Sequence, residues 1–523
     1  MKRRTARSIV SIGVAALALA SAGLPASAGG RERDDDRDSE RDERSNTVLV
    51  TNDAPAGPGS FAAAVEHANS NPRIGRIVFT DTFTVAVTSE ITYTGDQDLS
   101  INGRGSTLSG ADATPDTDTW DSGLFVSRSG ADLSIKRLSF NSSFNNGLAV
   151  FLPAGGGEVE IELENVEVVD SQFHGILVDG QSTTGYNTDD FIHPLCTDPH
   201  PVDSGTTIEI EVNRTTITNS GRVAGFDITQ ATGCPQDFDG LRVDQGGPGD
   251  LRAEIERSTF AGNLADGVEL DETGEGANWA EVSGSTFVDN GATAEILCSE
   301  ATYCGGDTGS MIEDLDDAFD MDEADDGDMV ALIRGSVFSD NNDEGIDLDE
   351  AGEGSAILDA RNVTANSNLD EGVKITEEDG GDIRAQIRNS TIDSAETADN
   401  AEFEELGEGD NIVSISRTSL SAGDGDGLKV TEEEGGSVAL NVVRSTITGN
   451  GDEGIQVEEL ADGDLRARIV RSAVTSNADK GLQAEQESPG SGTVSLVRSD
   501  FTGNGTATDL TGIADFTTPG SNL

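Results

Sequence analysis

A 27-residue period constrains this chain more than any other feature it carries. Starting points at Gly240, Gly267, Ala318, Gly345, Gly372, Asn400, Gly427, Gly454 and Gly481 are separated by 27, 51, 27, 27, 28, 27, 27 and 27 residues. One interval holds an insertion, one is a single residue longer, and the others keep one length. The first and third residues after each start are almost all apolar, as in Val268/Leu270, Ile346/Leu348, Val373/Ile375, Leu428/Val430 and Ile455/Val457. That alternation is a short strand with one buried face. Nine residues after every start stands a glycine, from Gly249 to Gly490. Such a position needs either φ > 0 or close backbone approach. A second alternating strand follows (Ala253/Ile255, Ala385/Ile387, Ala467/Ile469), and a third carries Phe260, Phe287, Phe338, Ile392, Ile447, Val474 or Phe501. An asparagine closes seven of the nine repeats, at 263, 290, 341, 368, 450, 477 and 504. Stacked asparagines hydrogen-bond along an axis and hold a sharp corner.

Three strands and three corners per repeat, with no helix-period segment, predict an all-β right-handed parallel β-helix. One coil cannot bury its apolar face, so stacking supplies the core. The missing leucine pattern excludes a leucine-rich repeat, and three strands per repeat exclude a propeller. Less regular coils start near Gly123, Gly147 and Gly175. The expected solenoid has roughly a dozen to fifteen coils at about 4.8 Å each.

The ends read differently. Lys2, Arg3 and Arg4, the apolar run from Ile9 to Leu19, and Ala26-Ser27-Ala28 make residues 1–28 a secretory signal. The residues after the arginine pair fit the ordinary secretory route better than the twin-arginine one. The apolar run is too short to span a membrane, and no later segment reads as a membrane span. Residues 29–46, including the mixed-charge run at 31–45, hold nothing to bury and are expected to be disordered. Residues 508–523 read as a C-terminal cap or tail. An exported protein, released or held at a surface, is therefore expected.

The segment from Thr47 to Phe79 resembles the N-terminal cap of secreted bacterial parallel β-helix proteins of the pectate-lyase-like superfamily. Gly57-Pro58-Gly59-Ser60 enters a short helix, Ala68-Asn69 leaves it, and Ile77-Val78-Phe79 is the first rung. The resemblance implies a cap and first rung over residues 47–80 and a β-helix over 81–507. It covers the mature chain as architecture. It implies no single activity, because that superfamily holds lyases, glycosidases, epimerases and adhesins.

The chain carries 63 Gly, few aromatics and a net charge of −65. It has no basic patch to release counterions, so nucleic acid and anionic membranes are excluded as partners and cations are favoured. Four cysteines in an exported chain point to disulfides. Cys298 and Cys304 are close in sequence and would pair, leaving Cys196 with Cys234; the other two connectivities stay open.

Enzyme patterns of the superfamily are incomplete here. Asn187-Thr188-Asp189-Asp190 looks like the first motif of polygalacturonase-like hydrolases, but no Gly-His-Gly or Arg-Ile-Lys follows it. A polyuronate lyase needs a cationic base, and of the five lysines only Lys374 and Lys429 fall on the first strand's outer side. An epimerase-like set would be Tyr186, Asp189, Asp190 and His193, all in one insertion. His193, Cys196 and His200 have zinc-ligand types, against a disulfide role for Cys196. Insertions near 181–204, 221–238 and 291–316 flank one face over neighbouring coils. They could wall a cleft floored by Arg242, Asp244, Glu269, Asp271, Asp320 and Asp322, with His174 beside it.

The strongest chemical pattern is a pair of acidic columns. Five residues after each start come Gln245, Glu272, Glu323, Glu350, Glu377, Glu405, Glu432, Glu459 and Gln486. One residue earlier stand Asp244, Asp271, Asp322, Asp349, Thr376, Glu404, Thr431, Glu458 and Glu485. Carboxylates repeated at rung spacing suit hard cations, and calcium is the natural one outside a cell. The expected function is calcium-assisted binding of a polysaccharide or cell-surface glycan. The alternative is a polysaccharide lyase or glycoside hydrolase working near the insertions.

Overall fold

Apolar residues at every second position give strands whose inward side chains meet those of the coils above and below. The computed structural model describes residues 46–113, 122–181, 203–221, 238–291, 317–393, 395–487 and 489–523, with the backbone of Ile296–Leu297 and Met311–Ile312. The described chain is a right-handed parallel β-helix. First-face strands form one 14-stranded sheet running from Ile91–Tyr93 to Thr506–Thr511. The second and third faces merge into a 27-stranded sheet. Register follows the repeat: Leu241 pairs with Val268 and Val268 with Phe319, all parallel. The 51-residue interval keeps this register, so its insertion leaves the strand pairing intact. Within that insertion Ile296–Leu297 pairs antiparallel with Met311–Ile312.

Each corner has its own chemistry. Between the second and third faces one residue per coil adopts φ near +55°, for example Arg257 (52°), Asn362 (55°), Arg444 (54°) and Arg498 (54°). The hydroxyl of the next residue accepts the backbone N–H of the preceding coil: Ser285 from Ser258 at 3.1 Å, Ser336 from Ser285 at 3.2 Å, and Ser472 from Ser445 at 3.2 Å. At the corner after the third face the asparagines stack as expected. Each amide nitrogen donates to the Oδ1 of the following coil, from Asn263 through Asn290 and Asn341 to Asn368 and again from Asn450 through Asn477 to Asn504, at 2.9–3.1 Å.

The two coils lacking the corner asparagine carry Ala395 and Gly423 instead. Asn400, which replaces the usual starting glycine, fills the gap. Its Oδ1 accepts the Ala395 N–H and its Nδ2 donates to Asn450 Oδ1 at 2.9 Å.

The interior is a column of aliphatic side chains interrupted by a phenylalanine stack. Phe260, Phe287 and Phe338 lie ring over ring at 5.0 and 4.7 Å, within 12° of parallel. The helix Phe61–Ser70 is capped by Ser60, whose hydroxyl accepts the Ala63 N–H at 3.2 Å. It buries Phe61, Ala64, Val65 and Ala68 over the core, with Phe61 against Phe79 and Phe125.

The recurrent glycine nine residues into each coil has ordinary negative φ, so close approach explains it. A Cβ on Gly381 would sit 1.3 Å from the Gly354 carbonyl oxygen, and one on Gly354 would sit 1.5 Å from that of Gly327. Gly380, one residue away, has nothing within 4 Å of that position. Gly381→Ala should therefore destabilise by at least about 1–3 kcal/mol, the cost of overpacking, while Gly380→Ala leaves the melting temperature nearly unchanged. Thermal unfolding of the two variants side by side checks this.

Candidate functional site: an acidic face and an inward glutamate column

Successive side chains of a strand point to opposite sides. Counting from each coil start, positions 2 and 4 of the first face look outward, whereas positions 1, 3 and 5 look into the solenoid. The two acidic columns read from the sequence therefore separate. Asp271, Asp322 and Asp349 belong to the outer surface. Glu272, Glu323, Glu350, Glu377, Glu405, Glu432 and Glu459 are all wholly or almost wholly buried. Positions 4 and 5 do not share one ion, and the expected paired chelate is replaced by two distinct arrangements.

On the outside, the acid just before each start lies beside position 2. One constellation occurs three times: Asp239, Asp266 and Glu269; Asp317, Glu344 and Asp347; Glu371, Asp399 and Glu402. Each takes the residues before two successive starts and position 2 of the second coil. In each, one carboxylate oxygen per residue lies within 4.8 Å of the others. Backbone amides help to fix them, since Asp317 Oδ1 accepts the Glu344 N–H at 2.7 Å.

Bases bridge these acids. Arg242 is 4 % exposed and donates to Asp244 at 2.8 Å, Glu269 at 2.5 Å and Asp271 at 2.8 Å, with Asp239 at 3.7 Å. Asp239 in turn lies 3.2 Å from His174 Nδ1. His174, Arg242, Asp244 and Glu269, expected to flank or floor a cleft, are thus brought together in one buried network. Lys374 bridges Glu344 at 2.9 Å and Asp347 at 3.3 Å, and Lys429 bridges Glu402 and Glu404. Burial and the charges of Asp370, Glu344 and Glu402 push Glu371 up to about 9. Burial raises Asp317 as well, with Glu344 and Asp347 adding to it. Glu404 is also partly desolvated, but its contacts with Lys429 and Glu402 hold it below the usual range.

On the inside, the seven glutamates stack in register, Glu272 on Glu323, Glu323 on Glu350 and onward to Glu459. Register sets each carboxyl group beside those of the neighbouring coils along the whole column. Few other donors reach them: Gly407 N–H meets Glu405 at 2.9 Å, and the N–H groups of Ala461 and Gly463 meet Glu459 at 3.0 and 2.9 Å. Burial, then the neighbouring glutamates, pushes Glu272 up to about 10 and Glu350 up to about 11. Burial and the Glu377 contact push Glu405 up to about 9. Glu323 is raised by burial only to about 7, because it accepts from Glu350 and Glu272. Two full charges about 5 Å apart repel by roughly 3 kcal/mol at an effective dielectric near 20, so seven ionised carboxylates cannot stand in this column uncompensated.

Tyr186, Asp189, Asp190, His193, His200 and the four cysteines (Cys196, Cys234, Cys298, Cys304) lie outside the described residues, as do residues 1–45, where a signal and a charged leader are expected. The acids preceding each start and the serine ladder escaped the sequence reading. The same 27-residue alignment carries both, as Asp or Glu before eight of nine starts and Ser or Thr eighteen residues after eight of nine.

No family profile and no curated protein matches the chain. Solved structures do. A double mutant of the periplasmic alginate epimerase AlgG is 10% identical, with a TM-score of 0.37 over 86% of this chain and 76% of that one. ORF18 of Geobacillus virus E2 is 11% identical, with a TM-score of 0.36 over 76% and 64%. The A-module of the Azotobacter vinelandii mannuronan C-5 epimerase AlgE6 is 12% identical, with a TM-score of 0.31 over 88% and 93%. The likeness is one of fold alone.

Removing the Arg242 guanidinium leaves several buried carboxylates without their bridge. Arg242→Ala should cost about 3–5 kcal/mol at neutral pH. Melting curves of the two proteins at neutral pH read this directly.

Proposed function

We propose that this chain is an exported, acidic β-helix that holds divalent cations along its first face and uses that face to engage a polysaccharide or cell-surface glycan. The observation that carries the reading is the threefold recurrence of one three-carboxylate constellation at fixed coil positions. Calcium takes six to eight hard oxygen ligands, often carboxylates, and tolerates irregular geometry. The donor set Glu371, Asp399 and Glu402 fits that demand in ligand type, with water completing the shell. Arg242 bridges members of the first constellation and Lys374 two members of the second, whereas in the third Lys429 pairs with Glu402 alone, so the third is the best candidate. The elevated Glu371 supports it, because a cation there relieves the mutual repulsion that burial intensifies. A bound cation also supplies the charge inversion that an acidic face needs to hold an anionic glycan.

A second reading, a polysaccharide lyase or glycoside hydrolase, draws on the buried His174–Asp239–Arg242 network in coils that carry the insertions. A panel of polysaccharides with and without calcium separates the two. Retention of glycan without unsaturated products or new reducing ends favours binding. Turnover lost in a folded Arg242 variant favours catalysis.

For calcium itself, millimolar calcium should raise the melting temperature more than sodium chloride of equal ionic strength, by mass action on the folded state. Glu371→Gln with Glu402→Gln should weaken calorimetric calcium affinity about tenfold or more, about 1.4 kcal/mol. Identical melting curves in calcium and matched sodium chloride would remove calcium from the reading.

A further inference from the structure

The inward glutamate column ends, at both extremities, in glutamine. Gln245 precedes Glu272 and Gln486 follows Glu459 in the same register. Each glutamine uses its amide nitrogen in the same way. Gln245 Nε2 donates to the Thr206 carbonyl at 3.1 Å, and Gln486 Nε2 donates to the Gly463 carbonyl at 3.2 Å. Both acceptors belong to the preceding coil, at the position of its close-packed glycine.

The glutamates put an oxygen where the glutamines put that nitrogen. Measured from the Cβ position of the close-packed glycine in the same coil, Gln245 Nε2 lies at 2.6 Å and Gln486 Nε2 at 2.5 Å. The Oε1 atoms of Glu272, Glu323 and Glu350 lie at 2.7, 2.6 and 2.6 Å. The carbonyl oxygen of the preceding glycine approaches the same point in each case, at 2.0, 1.7 and 1.5 Å. An ionised Oε1 there turns a lone pair toward a carbonyl lone pair, and a protonated one can donate as the glutamine amide does.

The remaining surroundings call for the same thing. Both oxygens of Glu272, Glu323 and Glu350 are buried and meet no N–H donor, while the backbone N–H groups of Asp379 and Glu434 lie toward Glu377 and Glu432. The charged groups acting on the column are themselves acids: Asp250 and Asp325 on Glu272, Asp325 and Asp326 on Glu323, and Asp379 on Glu377. Among the described residues no lysine or arginine is paired with any of the seven.

From this geometry we propose that the seven glutamates form an internal proton-sharing ladder, carboxylic acids alternating with carboxylates, which ties coil to coil in acid and loosens as the pH rises. Glu272, Glu350 and Glu405 carry protons toward Glu323 and Glu377. Glu432 passes one toward Glu459, whose Oε1 accepts the Ala461 and Gly463 N–H groups. Each titration step releases one proton to solvent and leaves one carboxylate, and no other bond changes. The ladder is independent of the calcium reading, which uses the outer carboxylates.

The sign follows from the raised folded-state values. The unfolded glutamates lose their protons near 4.5, whereas folded Glu272, Glu350 and Glu405 keep them to about 9–11 and Glu323 and Glu432 to about 7. The contribution is complete below the unfolded value and drains away as pH rises through the folded ones.

The test uses the full secreted chain in EDTA and moderate salt, melted across pH 5–10, with infrared spectra of the carboxyl region at neutral pH. A fall in melting temperature above pH 6, where ordinary carboxylates have finished titrating, and a protonated carboxyl band at pH 7 are expected. Glu350→Gln with Glu405→Gln, which extends the glutamine solution already present at both ends, should fold, flatten the fall and weaken the band. Glu378→Gln, at an exposed position beside the column, should leave the band intact. Absence of the band in wild type, or a melting temperature that climbs above pH 6, overturns the ladder whether or not the double variant folds. Loss of the band on adding calcium also overturns it, since the column would then be a cation site.

Discussion

Parallel hydrogen bonding between coils in strict register is the interaction on which everything else here rests. It converts a sequence period into spatial columns, so that one residue type repeated every 27 positions becomes a continuous line of identical contacts. The asparagine and serine lines, the close-packed glycines and both acidic arrangements exist only because register is kept across the 51-residue interval as well as the regular ones. A slip of one residue would exchange the inward and outward sets along a whole strand. The columns in turn oppose slippage, since an asparagine amide finds its partner in only one alignment.

The price of this repetition is that any unfavourable contact is also repeated. Like charges stacked at coil spacing add along the rod, and the two acidic arrangements meet the problem differently. Outside, Arg242, Lys374 and Lys429 are inserted at intervals, each bridging carboxylates of its own or a neighbouring coil. Inside, glutamine terminates the line at both ends. The chain thus interrupts its own period at the positions where strict periodicity is electrostatically worst.

The fold was legible because its signals are geometric. Alternating apolar residues, an invariant glycine spacing and corner asparagines each map onto one contact. Two things were harder. The glutamates at position 5 share the odd parity of the buried Val268 and Leu270, which places them inside, yet their charge argues for the outside; parity won because the strand continues unbroken through that position. Asn400 looks like an irregular coil start, and only the stacking of three coils reveals that it stands in for the asparagines missing at 395 and 423. The outer constellations need residues from two coils and from both sides of the starting glycine, so reading each repeat forward from that glycine hides them.

The corner between the second and third faces has a further consequence. Its left-handed residue is arginine at 104, 137, 214, 257, 417, 444, 471 and 498, although glycine takes that conformation with less strain. This corner lies across the coil from the first face. Gly284, Gly335, Asn362 and Asn389 interrupt the line in the middle coils, and Arg214 and Arg257 pair with Glu164 and Glu256, but Arg417, Arg444, Arg471 and Arg498 hold it without a break, so the solenoid carries a transverse dipole toward its C-terminal end. Such a rod has a preferred orientation about its own axis near any charged surface, within a Debye length of about 8 Å at physiological salt. Near anionic material the carboxylate face of that end turns away, open to solvent and to its cations.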